Sequence, residues 1–179
     1  MKIYQEFLMG QEDLVEKEIN VAGAVILKIN DEGTKSVLLI QRSKTDKWKL
    51  IFEFPRGKCD KGDQNKLTKC MKREVKEEVG LDVEVLDYID KYEYIADHGT
   101  RKSTQFNFLC KLTHPKQEVK LSKEHQDYKW VQSVGEVELM VPSEMKKTIS
   151  KVLNKDEKIV NYPDTKQVIG ETQKRWRRK

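Results

Sequence analysis

The sequence predicts an α+β sandwich around a mixed β-sheet, on three observations. Short runs rich in Val, Ile and Leu in the N-terminal half are separated by turn residues, as in a hairpin. Residues 65–79 carry an apolar residue at every fourth position, the pattern of a helix with one buried stripe. A second amphipathic stretch opens on Pro142, so strands and two helices must share a core.

The elements follow in order. Residues 1–18 are polar with scattered apolar positions and suit a peripheral strand or arm. From Asn20, VAGAVILKI is expected to be a buried strand, Asp31-Glu32-Gly33-Thr34 a turn, and SVLLIQR its hairpin partner. Residues 48–54 form an extended apolar stretch closed by Pro55 and Gly57, and 58–64 are expected to be a loop. The helix comes next. Asn65 is its expected N-cap, Leu67, Met71, Val75 and Val79 its buried stripe, and Gly80 its left-handed C-cap. Two long strands are expected over 83–95 and 102–112, joined by ADHGTR, and a short one over 129–132. The closing helix spans 142–153, with Pro in its first turn and Met145, Ile149 and Val152 on one face. After Asn154 the chain turns polar and ends in KRWRRK. The expected division is one domain over 1–155, with 1–19 as an N-terminal arm, and a basic tail over 156–179.

Hydrophobic residues make up 37% of the 179-residue chain, enough for a core, which excludes a disordered protein despite 36% charged residues. The excess of 35 basic over 30 acidic side chains, a net +5, suits an anionic ligand, though a Lys-rich surface gives the same balance. Cys59, Cys70 and Cys110 show no C-x-x-C spacing. That argues against a zinc site and a disulfide framework, and for a reducing compartment. The first residues lack a signal-peptide apolar run, and no stretch approaches the roughly 20 apolar residues of a membrane span. A soluble cytoplasmic protein with no membrane partner is expected.

The helix at 65–80 carries an anomaly. At about 100° per residue, Glu74, Glu77 and Glu78 share one arc beside the apolar stripe, while Lys66, Lys69, Lys72 and Lys76 project elsewhere. Only Glu77 has a basic residue one turn away, Arg73. Like charges at these spacings cost about 0.2–0.5 kcal/mol per pair, and acidic groups near a helix C-terminus oppose its dipole at roughly 0.3–1 kcal/mol each. A local rule broken without compensation points to a functional site. A hard divalent cation, which prefers carboxylate oxygens, is the simplest compensation. The bland alternative is a solvated acidic helix end.

The segment Gly57-KCDKGDQNKLTKCMK-REVKEEVGL resembles the Nudix box, G-x5-E-x7-R-E-U-x-E-E-x-G-U with U apolar. Arg73, Glu74, Val75, Glu77, Glu78, Gly80 and Leu81 match every defined position of its second half. FEFPRGK resembles the strand and turn before the box in MutT-like members, and SVLLIQR their second strand. The run from Glu124 to Trp130 resembles a later loop whose Glu precedes a Trp by six. The resemblance covers roughly 21–153. The loop departs from the pattern: it is two residues longer, so the first acidic position falls on Asp63 or on Asn65, and Arg56 replaces a frequent glycine.

The resemblance implies an α/β/α sandwich and an Mg²⁺- or Mn²⁺-dependent hydrolase that cuts a phosphoanhydride bond. Glu74 and Glu78 would be the principal metal ligands, Glu77 a further or outer one, and the Arg56 carbonyl would complete the site. Arg73 would orient the carboxylates through its planar fork. Glu124 would be a remote ligand or the general base, with Glu74 as the rival base. Arg42, Lys58 and Arg56 are candidates for phosphate or substrate contacts, and His125 borders Glu124. The implied substrate is a nucleoside diphosphate linked to something else. FEFPRGK leans to nucleoside triphosphates, while dinucleoside polyphosphates and RNA 5′-caps are the alternatives, the latter drawing on the basic tail. The rival of another class is a silent nucleotide- or RNA-binding module, against which the presence of Glu74, Glu77, Glu78 and Glu124 speaks.

Overall fold

One strand is the spine of the sheet. β1 (Lys17–Ile29) is buried from Asn20 to Ile26, as a strand covered on both faces must be. The computed structural model describes residues 17–45, 50–59, 66–137 and 140–154. Of the arm expected over 1–19, residues 1–16 lie outside the described residues, as do Trp48, Asp63, Asn65 and the basic tail, while 17–19 belong to β1.

β1 is flanked by β2 (Lys35–Arg42), β4 (Arg56–Lys58) and β6 (Arg101–Leu112); β3 (Phe52–Glu53), β5 (Val83–Ala96) and β7 (His125–Val131) complete the sheet. The order is β3-β2-β1-β6-β5, with β4 added to β1 and β7 to β2. β1 and β6 run parallel; the other pairs are antiparallel. The sheet is therefore mixed.

Among the described residues, two helices cover its faces. Under α1 (Leu67–Val79), the predicted stripe of Leu67, Met71, Val75 and Val79 packs on Ala24, Ile26, Leu38, Ile40, Phe106 and Phe108. Under α2 (Ser143–Leu153), Met145, Ile149 and Val152 pack on Val25, Val37, Leu39 and Leu109. Alternate residues of each central strand serve opposite cores, which gives an α/β/α sandwich. Each large aliphatic side chain so buried contributes about 1.5–3 kcal/mol relative to exposure. α2 is also tied by polar contacts. Asp90 on β5 accepts from Lys151 at 2.6 Å, from Thr148 at 3.1 Å and from Asn107 Nδ2 at 2.8 Å.

Four expectations need correction. Residues from Lys58 onward were expected to be loop, yet Arg56–Lys58 is a strand, paired with Val21–Gly23. A short polar strand is held by its partner's backbone and leaves little sequence pattern. β7 starts at His125 rather than at 129. α1 begins at Leu67, and its N-cap position is Lys66, which makes no side-chain cap hydrogen bond. Finally, Cys59 and Cys70 form a disulfide, and only Cys110 is a free, buried thiol. Linear spacing did not reveal that the end of β4 lies beside the first turn of α1, with the two Cα atoms 5.6 Å apart. No helix among the described residues is long and apolar enough to cross a membrane.

Candidate active site

α1 ends where the sequence placed its stop: Gly80 takes φ 70° and donates its N–H to Lys76 O at 3.1 Å. With Val75 and Val79 turned into the core, the neighbouring Glu74 and Glu78 face the short strand β4, one turn apart. β4 meets them with two different features. At Gly57, a Cβ would lie 1.8 Å from the Glu74 carboxyl carbon, so only glycine leaves room for that side chain. At Arg56, the backbone N–H donates to Glu78 Oε2 at 2.8 Å.

Arg73 closes the outer side. Its guanidinium meets Glu74 Oε1 at 2.8 Å, Glu77 Oε2 at 3.2 Å and the Lys58 carbonyl at 3.4 Å. Glu77 itself lies at the rim with 58% of its side chain exposed, so the predicted arc of three divides into two inward carboxylates and one outward.

Behind the pair lies a buried ionic brace. Glu53 pairs with Arg42 Nε and with Arg56 Nη2, each at 2.6 Å. Arg56 Nη1 donates in turn to Tyr94 Oη at 2.8 Å and to Gln105 Oε1 at 2.7 Å. Burial works against the Glu53 charge, but Arg56, the facing His125 and Arg42, in that order, outweigh it and hold the carboxyl down at about 2. Glu78 is the opposite case. Burial, with Glu53 and Glu74 adding repulsion, pushes its carboxyl up to about 9 despite the Arg56 N–H.

The turn before β7 packs on the end of α1. The Ser122 N–H donates to the Glu78 carbonyl at 2.8 Å, and the Ser43 N–H to the Glu124 carbonyl at 2.9 Å. Glu124 is exposed on this turn. Its neighbour His125 is the one turned inward: buried, with Nε2 3.9 Å from both Glu53 Oε1 and Glu78 Oε1.

The predicted residues thus separate. Glu74, Glu78, Arg56 and Arg73 are brought together. Glu77 is at the rim, the Lys58 side chain is exposed, and Arg42 is engaged with Glu53. Glu53 is absent from the sequence-predicted site, and His125 figures there only as a neighbour of Glu124. Glu53 carried a readable signal, being a charge between Phe52 and Phe54 that strand alternation turns to the other face. His125 carried none beyond its position next to Glu124.

Among the described residues no three His, Cys, Asp or Glu converge on a ready-made metal centre. The donor set nonetheless fits a hard divalent cation. Glu74 and Glu78 are oxygen donors side by side, and Glu78 has a charge that its surroundings disfavour, so nearby positive charge would stabilise it.

The NUDIX domain model matches residues 20–152. Among solved structures, an Ap4A hydrolase of C. elegans in a binary complex is similar, with a TM-score of 0.63 and 25% identity over 75% of this chain and 94% of that one. The MutT protein of Methanosarcina mazei Go1 is similar at TM-score 0.63 and 24% identity, over 79% of this chain and 99% of that one. The NUDIX domain of Shewanella oneidensis NrtR complexed with ADP ribose shares the fold at TM-score 0.56 and 18% identity, over 76% and 88%. No curated protein matches the sequence.

Proposed function

The chain belongs to the Nudix hydrolases, enzymes that act on pyrophosphate bonds, and from that premise we propose that it is a divalent-metal-dependent pyrophosphohydrolase of nucleoside triphosphates. The supporting observation is the pair Glu74 and Glu78 beneath β4, with Gly57 leaving space for one and the Arg56 N–H holding the other. Glu74 and Glu78 would hold Mg²⁺ or Mn²⁺, with Glu77 and the Arg56 carbonyl as outer contributors. A bound divalent cation neutralises phosphate charge, lowers the pKa of bound water and stabilises the leaving oxygen.

The remaining roles belong to the chain itself. Arg73 fixes the Glu74 carboxylate through their 2.8 Å contact, a geometry suited to a planar fork. Glu124 or Glu74 takes the proton of the attacking water, Glu124 from the exposed side of its turn. Lys58, exposed beside the pair, meets the phosphates. Arg42 is bound to Glu53 and acts on substrate through that brace. The products from a nucleoside triphosphate are a monophosphate and pyrophosphate.

A second reading, dinucleoside polyphosphate hydrolysis, is favoured by the likeness to the C. elegans Ap4A hydrolase. A Mg²⁺-dependent product assay over nucleoside triphosphates, dinucleoside polyphosphates, ADP-ribose and capped RNA decides between them. Monophosphate and pyrophosphate from a triphosphate support the first reading. Preference for a dinucleoside polyphosphate replaces it with the second. Salt-sensitive preference for capped RNA, lost on deleting residues 156–179, replaces it with an RNA-end substrate. Tight nucleotide binding without turnover in Mg²⁺ would mean a silent binding module.

A further inference from the structure

Among the described residues, two buried polar atoms at the site lack a hydrogen-bond partner, Glu53 Oε1 and His125 Nε2, and of these Glu53 Oε1 is ion-paired with Arg42. The His125 side chain is 1% exposed. A buried imidazole nitrogen without a partner costs about 1–3 kcal/mol, so its place calls for a reason. Nε2 points at two carboxylate oxygens, Glu78 Oε1 and Glu53 Oε1, each at 3.9 Å. That is beyond hydrogen-bond length, and a small rotation of the Glu78 carboxylate or one bridging water closes it.

The other ring nitrogen decides what Nε2 can offer. Ser122 Oγ lies 3.3 Å from His125 Nδ1. The same oxygen accepts the Glu124 backbone N–H at 3.4 Å, which leaves its own proton free to point at Nδ1. With Nδ1 accepting, the ring proton sits on Nε2. The opposite tautomer would aim a lone pair at Glu53 Oε1, an oxygen of an ionised carboxylate, an arrangement that repels. Ser122 is itself anchored to Glu78, because its N–H donates to the Glu78 carbonyl at 2.8 Å. One residue is thus addressed twice by one turn, at its backbone by Ser122 and at its side chain by His125.

Building on the hydrolase reading above, we infer that His125 is a positioning residue: its Nε2–H, oriented by Ser122, holds Glu78 Oε1 while the Arg56 N–H holds Oε2. The carboxylate is then fixed from both sides with a lone pair on each oxygen still available. The same contact ties the turn bearing Glu124 to the metal-binding helix, so the candidate base and the candidate ligand keep one relative position.

Three variants and two measurements besides turnover test this. His125→Phe keeps the ring shape without the N–H, His125→Gln returns an amide N–H near the Nε2 position, and Ser122→Ala removes the orienting hydroxyl. Long-range ¹H–¹⁵N correlation spectra of the wild-type protein should show the Nε2–H tautomer, and Ser122→Ala should lose that preference. Mn²⁺ binding followed by electron paramagnetic resonance should weaken about tenfold in His125→Phe, in the range that outer-shell partners command. In Mg²⁺, kcat of that variant should fall about 10–100-fold with KM within about twofold, and His125→Gln should recover most of it. An Nδ1–H tautomer in the wild type, or unaltered Mn²⁺ affinity and kcat in a folded His125→Phe, overturns the inference. Failure of the wild type to hydrolyse any nucleotide overturns the substrate reading instead. The tautomer and Mn²⁺ measurements would still decide the role of His125.

Discussion

Gly57 and Glu78 show how single residues set the site. A methyl at position 57 would collide with the end of the Glu74 side chain rather than with backbone. Gly57→Ala should therefore keep the fold and swing Glu74 away, with kcat falling about a hundredfold, as for a lost transition-state contact; near-wild-type turnover would contradict it. Glu78→Gln should lose at least as much activity. It should also change stability with a definite sign. Between its ordinary value of 4.5 and about 9, Glu78 keeps a proton in the fold that the unfolded chain has released, so metal-free stability falls as pH rises through that window. Thermal melting from pH 5 to 9 without metal should slope downward in wild type and flatten in Glu78→Gln. Glu53 has the reverse sign: its contribution is present above 4.5 and is lost as pH falls toward 2. At this scale helix spacing puts Glu74, Glu77 and Glu78 on one arc, and the family resemblance adds Arg73. The Glu53 brace stayed hidden because its partners, Arg42 and Arg56, come from two other strands.

Elements were legible where periodicity is strong and obscure where tertiary pairing decides. The stripe of α1 and the glycine stop appear in the fold as expected, and so does Pro142 at the start of α2. β4 has no pattern of its own, since three residues paired to Val21–Gly23 need no alternation. The disulfide belongs to this scale as well. It ties the end of β4 to the first turn of α1 across a separation of 11 residues, which constrains the unfolded chain by about 3 kcal/mol in the loop-entropy account. Calorimetry with and without reductant should show melting lowered by several degrees in the reduced protein. Cys70→Ser should reproduce that loss and then be indifferent to reductant. Equal melting in both conditions would mean that the bridge contributes no stability. A polar tie offers a parallel test on α2: Thr148→Val should cost about 1–3 kcal/mol, because Asp90 and Asn107 lose a partner in a buried setting.

For the whole molecule, the sandwich class followed from counting strands and helices, but the strand order did not. Nothing local in VAGAVILKI says that it runs parallel to QFNFLCKL rather than pairing only with its hairpin neighbour. A molecule-wide effect should accompany the candidate metal site. Mg²⁺ that binds only the native state must raise the melting temperature by mass action. That rise should vanish in a Glu74→Gln, Glu78→Gln double variant, and its persistence there would move the ion elsewhere. The parallel pairing has a consequence for biosynthesis. Ile19 finds its partner in Ser103, so a ribosome has translated most of the chain before that edge of β1 can be covered. Until then β1 is an open template for another chain's strand. A protein truncated before residue 101 should therefore precipitate or recruit chaperones rather than accumulate as a folded fragment.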